Sequence, residues 1–130
     1  MLTPFLLAAL ALQDTPAAEP APPPRAPVTI DALPIEQAAA ARCAIAFATV
    51  SRWQRVGDAR GSAYPDIAAG GGREFFVRVM AKLMDEAGLT REDVVALAEA
   101  GVEDHDRPDG AERIAALMPA CQLMKSAAGL

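Results

Sequence analysis

Alanine dominates the apolar half of this sequence, and that narrows what the chain can fold into more than any motif does. Hydrophobic residues are 52% of the 130, yet thirty of them are alanine. The larger apolar side chains that remain cannot fill a deep core, because the stabilisation gained scales with the apolar area taken out of water. Alanine is also the best helix former and a poor strand residue. With aromatics at 5% and charged residues at 22%, the composition predicts an all-α chain: one small bundle of about four helices, with no strand.

The first thirty residues read differently from the rest. The apolar run Phe5 to Leu12 is too short to span a bilayer and has the length of a signal-peptide core, with Ala9-Leu10-Ala11 as a small-x-small cleavage site. No lysine or arginine precedes that run, and cleavage near Ala17 fits as well. Seven of the eleven prolines lie between Asp14 and Pro34, where extended polyproline geometry suits a tether. Residues 1–13 are therefore read as a signal peptide, 14–30 as a disordered proline-rich spacer and 31–130 as the helical domain. Arginine outnumbers lysine ten to two in a chain rich in alanine, glycine and proline, the usage of a GC-rich bacterial genome. A periplasmic or secreted location follows. The alternative is a cytosolic protein that retains the segment as a short helix.

From Asp31 the pattern turns helical. Asp31 is placed to cap a first helix reaching Val56, with Pro34 in the first turn, where a missing N–H is harmless. Ala39, Cys43, Ala46, Phe47, Val50 and Gln54 recur three and four apart and predict a single inward face. Arg52 and Arg55 complement the dipole near the end, and Gly57 stops the helix. A glycine-rich loop over 57–72 is long for a compact domain. Helix two is expected over Arg73–Ala87, with Phe76, Val79, Met80, Leu83 and Ala87 inward and Gly88 as a left-handed cap. Thr90 and Asp93 form a capping box for helix three, Arg91–Ala100, with Val94, Leu97 and Ala98 inward, and Gly101 ends it. Asp109 and Glu112 repeat that signature for helix four, whose stripe is Ile114, Leu117, Met118, Cys121 and Met124 or Lys125. A kink or break is expected at Pro119.

Cys43 and Cys121 are the only cysteines, one on the inward face of the first helix and one on that of the last. In an oxidising compartment they should pair. A clasp from helix one to helix four would stabilise the fold by roughly 4.5 kcal/mol in the chain-entropy picture. Redox chemistry and two reduced core thiols are the alternatives, and the absence of a Cys-x-x-Cys setting weighs against the first.

No catalytic constellation stands out, and no cofactor is implied. His105 with Asp104 and Asp106 is the one weak metal candidate. A calcium loop begun at Asp104 has Asp109 where glycine is needed, and a zinc site lacks a second nitrogen or sulfur ligand nearby. The simpler reading is a solvated acidic loop. Ser51, Ser62 and Ser126 lack a nucleophile-elbow context. Gly70-Gly71-Gly72 with Arg73 suggests an anion cradle, but with no strand before it a flexible hinge is simpler. Nucleic acid is excluded as a partner: the net charge is −5, and residues 85–112 hold ten acids against Arg91 and Arg107. Residues 42–82 are basic instead, with seven cations against three acids. There Trp53, flanked by Arg52 and Arg55, could meet acidic headgroups or cell-wall polymers. Tyr64 and Arg73 could line a pocket beneath a lid formed by the 57–72 loop.

Three stretches, ARCAIAFATVSRWQ, GREFFVRVMAKLMDEAGLTRED and MPACQLMKSAAGL, resemble small uncharacterised exported helical proteins of alphaproteobacteria, over about residues 40–130. The resemblance implies export and a Cys43–Cys121 pair, and it implies no activity. The function expected is a non-enzymatic binding or interaction module of the cell envelope, not transmembrane, serving an envelope partner or a small ligand. The alternatives are a small enzyme or ligand carrier with the 57–72 loop as lid, and a cytosolic helical regulator.

Overall fold

The longest helix lies where alanine is densest. In the computed structural model, which describes residues 16–130, helix α1 spans Ile35–Val56 and is followed by α2 at Gly72–Ala87, α3 at Arg91–His105 and α4 at Gly110–Ala127. Two 3-10 turns, Ile30–Ala32 and Ala59–Ala63, flank α1, and the described residues contain no strand. The all-α, four-helix architecture is the one composition predicts. The signal-peptide reading of residues 1–13 lies outside the described residues.

The start of α1 differs from expectation. Asp31 sits in the first 3-10 turn and accepts a hydrogen bond from Arg42 at 2.7 Å, so Pro34 occupies the N-cap position in its place. Residues 16–27 are exposed and form no helix or strand, but Val28 and Ile30 pack against the core, and Arg25 pairs with Asp93. The spacer therefore ends as a strap laid on the bundle.

Nor does α1 bury a single face. It touches α2, α3 and α4 on different sides, and Ala41, Ala44, Ala46, Phe47, Thr49 and Val50 are all fully buried. Alanines at three of those positions let neighbouring backbones come close while each buries little area. Cys43 and Cys121 are joined as a disulfide, their Cα atoms 5.1 Å apart, tying α1 to α4.

Gly71, with φ at +85°, precedes α2, and Phe75, not Phe76, is the buried phenylalanine at its start. Phe75 meets Phe47 edge to face at 5.6 Å. Gly88 closes α2 in the left-handed conformation, and Leu89 folds back as expected. The Thr90–Asp93 capping box is made in both directions, at 3.1 and 2.8 Å.

Helix α3 does not end at Gly101; it continues for four residues, to His105. A Cβ on Gly101 would lie 2.7 Å from Ile45 Cγ2, so the glycine marks a close helix crossing and not a stop. Asp109 caps no backbone N–H with its side chain, which lies instead 3.1 Å from Arg113 Nε. Helix α4 runs unbroken through Pro119. Pro119 and Ala115 are both exposed, so water can satisfy the Ala115 carbonyl that the proline leaves unpaired.

Candidate functional site

Gln54, near the end of α1, belongs to a row of apolar positions in the sequence, but its amide faces the connection to α2. Its Nε2 shares its two hydrogens among the carbonyls of Gly61, Tyr64 and Pro65, at 3.1, 3.2 and 2.8 Å, and its Oε1 accepts from the Ile67 N–H at 3.0 Å. The chain can lie this close because Gly61 has no side chain: a Cβ there would sit 2.8 Å from the Gln54 nitrogen. Further along, Asp66 accepts from the N–H of Ala69 through its carboxylate and from that of Gly70 through its carbonyl, both at 3.0 Å. Gly72 donates to the Ile67 carbonyl at 2.9 Å, and Lys125 reaches from α4 to the carbonyl of Gly70. At the start of the segment, hydrogen bonds from Arg60 hold the Asp58 carboxyl down at about 2.

Residues 61–72 are thus tied to α1 and α4 along their length. The glycines serve close contact with α1 and with Ile67, and the segment forms a hydrogen-bonded wall beside α1.

A cleft opens on each side of that wall. The first, of about 600 Å³ between the wall and α4, is floored by Phe47, Ile67, Met118 and Pro119, with Tyr64 and Gln122 among its lining. Partial burial pushes the Tyr64 phenol above its ordinary pKa. The second, of about 660 Å³ between α1, the wall and α2, is lined by Phe47, Phe76, Ser51, Gln54, Arg55 and Arg73. Phe47 therefore floors both.

The structure separates the predicted contact residues. Arg55 and Arg73 both line the second cleft, and Tyr64 lines the first. Arg52 turns away, donating to both carboxylate oxygens of Asp106 at 2.5 and 2.6 Å. Trp53 is only 1% exposed, with the Arg60 guanidinium stacked 4.3 Å from its ring centroid. A buried Trp53 cannot meet headgroups or cell-wall polymers, so the predicted Arg52-Trp53-Arg55 patch does not exist.

The reading of His105 as part of a solvated acidic loop is corrected. His105 is 8% exposed in the last turn of α3, not in a solvated loop, and its Nδ1 lies 3.1 Å from Thr49 Oγ1. Thr49 directs its own proton to the Ile45 carbonyl at 2.9 Å, which leaves its oxygen to accept from His105 Nδ1–H. Burial, seconded by the charge of Arg113, holds the His105 pKa below its usual value. Asp104 is engaged by Arg113 and Arg107, and Asp106 by Arg52. Hydrogen bonds from those arginines, Arg113 to Asp104 and Arg52 to Asp106, lower both carboxyl pKa values. No group of three ligand side chains converges among the described residues.

The residues that sequence reasoning missed are Gln54 as organiser of the wall and Phe76 as a cleft residue. The available signal was a lone amide in an otherwise apolar row just before a glycine-rich loop. No protein family, curated protein or solved structure matches the chain. Among the described residues, no helix is long and apolar enough to cross a membrane.

Proposed function

We propose that this chain is an exported binding module of a bacterial cell envelope, periplasmic or secreted, that holds a small ligand against the wall formed by residues 61–72. The observation that carries the reading is the wall itself. Gln54 fixes it to α1, so the two clefts exist before any ligand arrives, and a site built in advance loses less ordering entropy on binding. Both clefts have volumes within the ~300–1,000 Å³ typical of small-molecule sites. Export is supported by the Cys43–Cys121 pair, since such bonds persist where the surroundings are oxidising, and by the N-terminal apolar run.

An amide chemical-shift map of the oxidised chain with a fragment mixture tests the binding reading. Shifts are expected to gather at Phe47, Ser51, Tyr64, Ile67, Gly72 and Phe76. Shifts scattered over the surface, or none, contradict it. For export, the intact mass of the natively produced protein should lack the first residues and be two hydrogens lighter than the reduced chain; retention of Met1 contradicts it.

A further inference from the structure

Of the ten arginines, seven are ion-paired: Arg25, Arg42, Arg52, Arg60, Arg78, Arg107 and Arg113. Only Arg55, Arg73 and Arg91 have no carboxylate partner among the described residues, and two of those three line the same cleft. In a chain of net charge −5, where carboxylates outnumber cations, this concentration of unpaired guanidinium groups stands out. Beside them lie the half-buried ring of Phe76 and the hydroxyl of Ser51, with the fully buried Phe47 behind them. Asp66 also lines the cleft, with one oxygen held by the Ala69 N–H, which leaves the lining one positive charge in excess.

We infer that this second cleft binds a small amphipathic anion, with Arg55 and Arg73 holding a carboxylate or phosphate-type group and the half-buried Phe76 ring lying against the apolar body. The inference rests on the binding-module reading and adds the class of ligand. Planar guanidinium groups recognise such anions through paired, charge-assisted hydrogen bonds. An acidic bilayer surface fits less well. The protein as a whole would be repelled by it, and two cations set in a cleft match one anionic group on a free molecule better than a sheet of headgroups.

The test titrates the full oxidised chain with octanoate, octanol and inorganic phosphate, followed by amide shifts at Ser51, Arg55, Arg73 and Phe76. Sedimentation with phosphatidylglycerol vesicles forms a separate arm. Octanoate is expected to bind about tenfold or more tighter than octanol, the scale of a hydrogen bond to a charged group. Arg55→Gln with Arg73→Gln should reduce octanoate to the level of octanol. Both side chains are exposed, so the melting temperature should not move, and this separates lost binding from lost folding.

Several results would overturn the inference. Octanol binding as tightly as octanoate would remove the role of charge while leaving the binding-module reading intact. Octanoate binding that survives the double substitution would place the anion elsewhere. Phosphate binding as tightly as octanoate would remove the apolar body, and binding to vesicles without binding to octanoate would replace the free ligand with a surface. Silence from every probe and from the fragment mixture would remove both readings together.

Discussion

The two halves of α1 solve opposite problems with the same helix. From Ala38 to Ala46 the side chains are mostly alanine, the neighbouring helices close in directly, and Gly101 of α3 lies against Ile45. From Phe47 to Gln54 the side chains are larger, and the connecting segment is held at a distance by the Gln54 amide, leaving a cleft on either side of it. Small side chains give contact without room; large ones with a fixed spacer give room without disorder. The disulfide joins the two regions, with Cys43 in the closed half and Cys121 on the stretch of α4 where Met118 and Gln122 line the first cleft.

That contrast can be broken from either side. Replacing both Cys43 and Cys121 with alanine should have the largest effect, about 4.5 kcal/mol by loop-closure entropy, read as a shift in the denaturant midpoint. Next comes Gln54→Ala, which removes several hydrogen bonds at once and should cost about 2 kcal/mol. Its distinctive sign is faster amide exchange over 61–67 while the amides of Ala41 to Ile45 stay slow. Gly101→Ala is smaller but sharper. Alanine at an open helix position gains up to about 1 kcal/mol over glycine. Here the new methyl meets the buried Ile45 at 2.7 Å, so overpacking should outweigh that gain and leave a net loss of about 1 kcal/mol in thermal unfolding.

The mildest effect concerns pH. His105 is buried and neutral, its folded pKa lying below the unfolded value of 6.5. As pH falls through that value the unfolded chain takes up the proton first, so stability is full above it and declines towards the lower, folded pKa. The melting temperature should therefore fall between pH 7 and 5, and His105→Asn should flatten the slope in that window. The paired carboxylates Asp58, Asp93, Asp104 and Asp106, with lowered pKa values, add their own loss only at more acid pH.

Local chemistry was legible in the sequence. The Thr90 capping box, the Gly88 left-handed stop, the four helices and the Cys43–Cys121 clasp all depend on residues near one another or on a single pairing. What escaped depends on a distant partner. Gly101 reads as a terminator until Ile45 is known to lie against it, and Gln54 reads as a core position until the chain returns at Gly61 and Ile67. Phe75 and Phe76 are adjacent, so the choice of which one is buried follows from the docking of α2 on Phe47, which periodicity alone does not fix. Trp53 and His105 looked like surface chemistry because each stands among charges. Those charges pair with one another and leave the rings inside.

Native-state hydrogen exchange across residues 57–72 tests the central claim most directly. The Ile67 amide, bonded to Gln54, and the Gly72 amide, bonded to the Ile67 carbonyl, should exchange nearly as slowly as that of Val50 in the middle of α1. Exchange at those two amides as fast as in an unstructured peptide would mean a mobile lid, and would contradict a binding site built in advance.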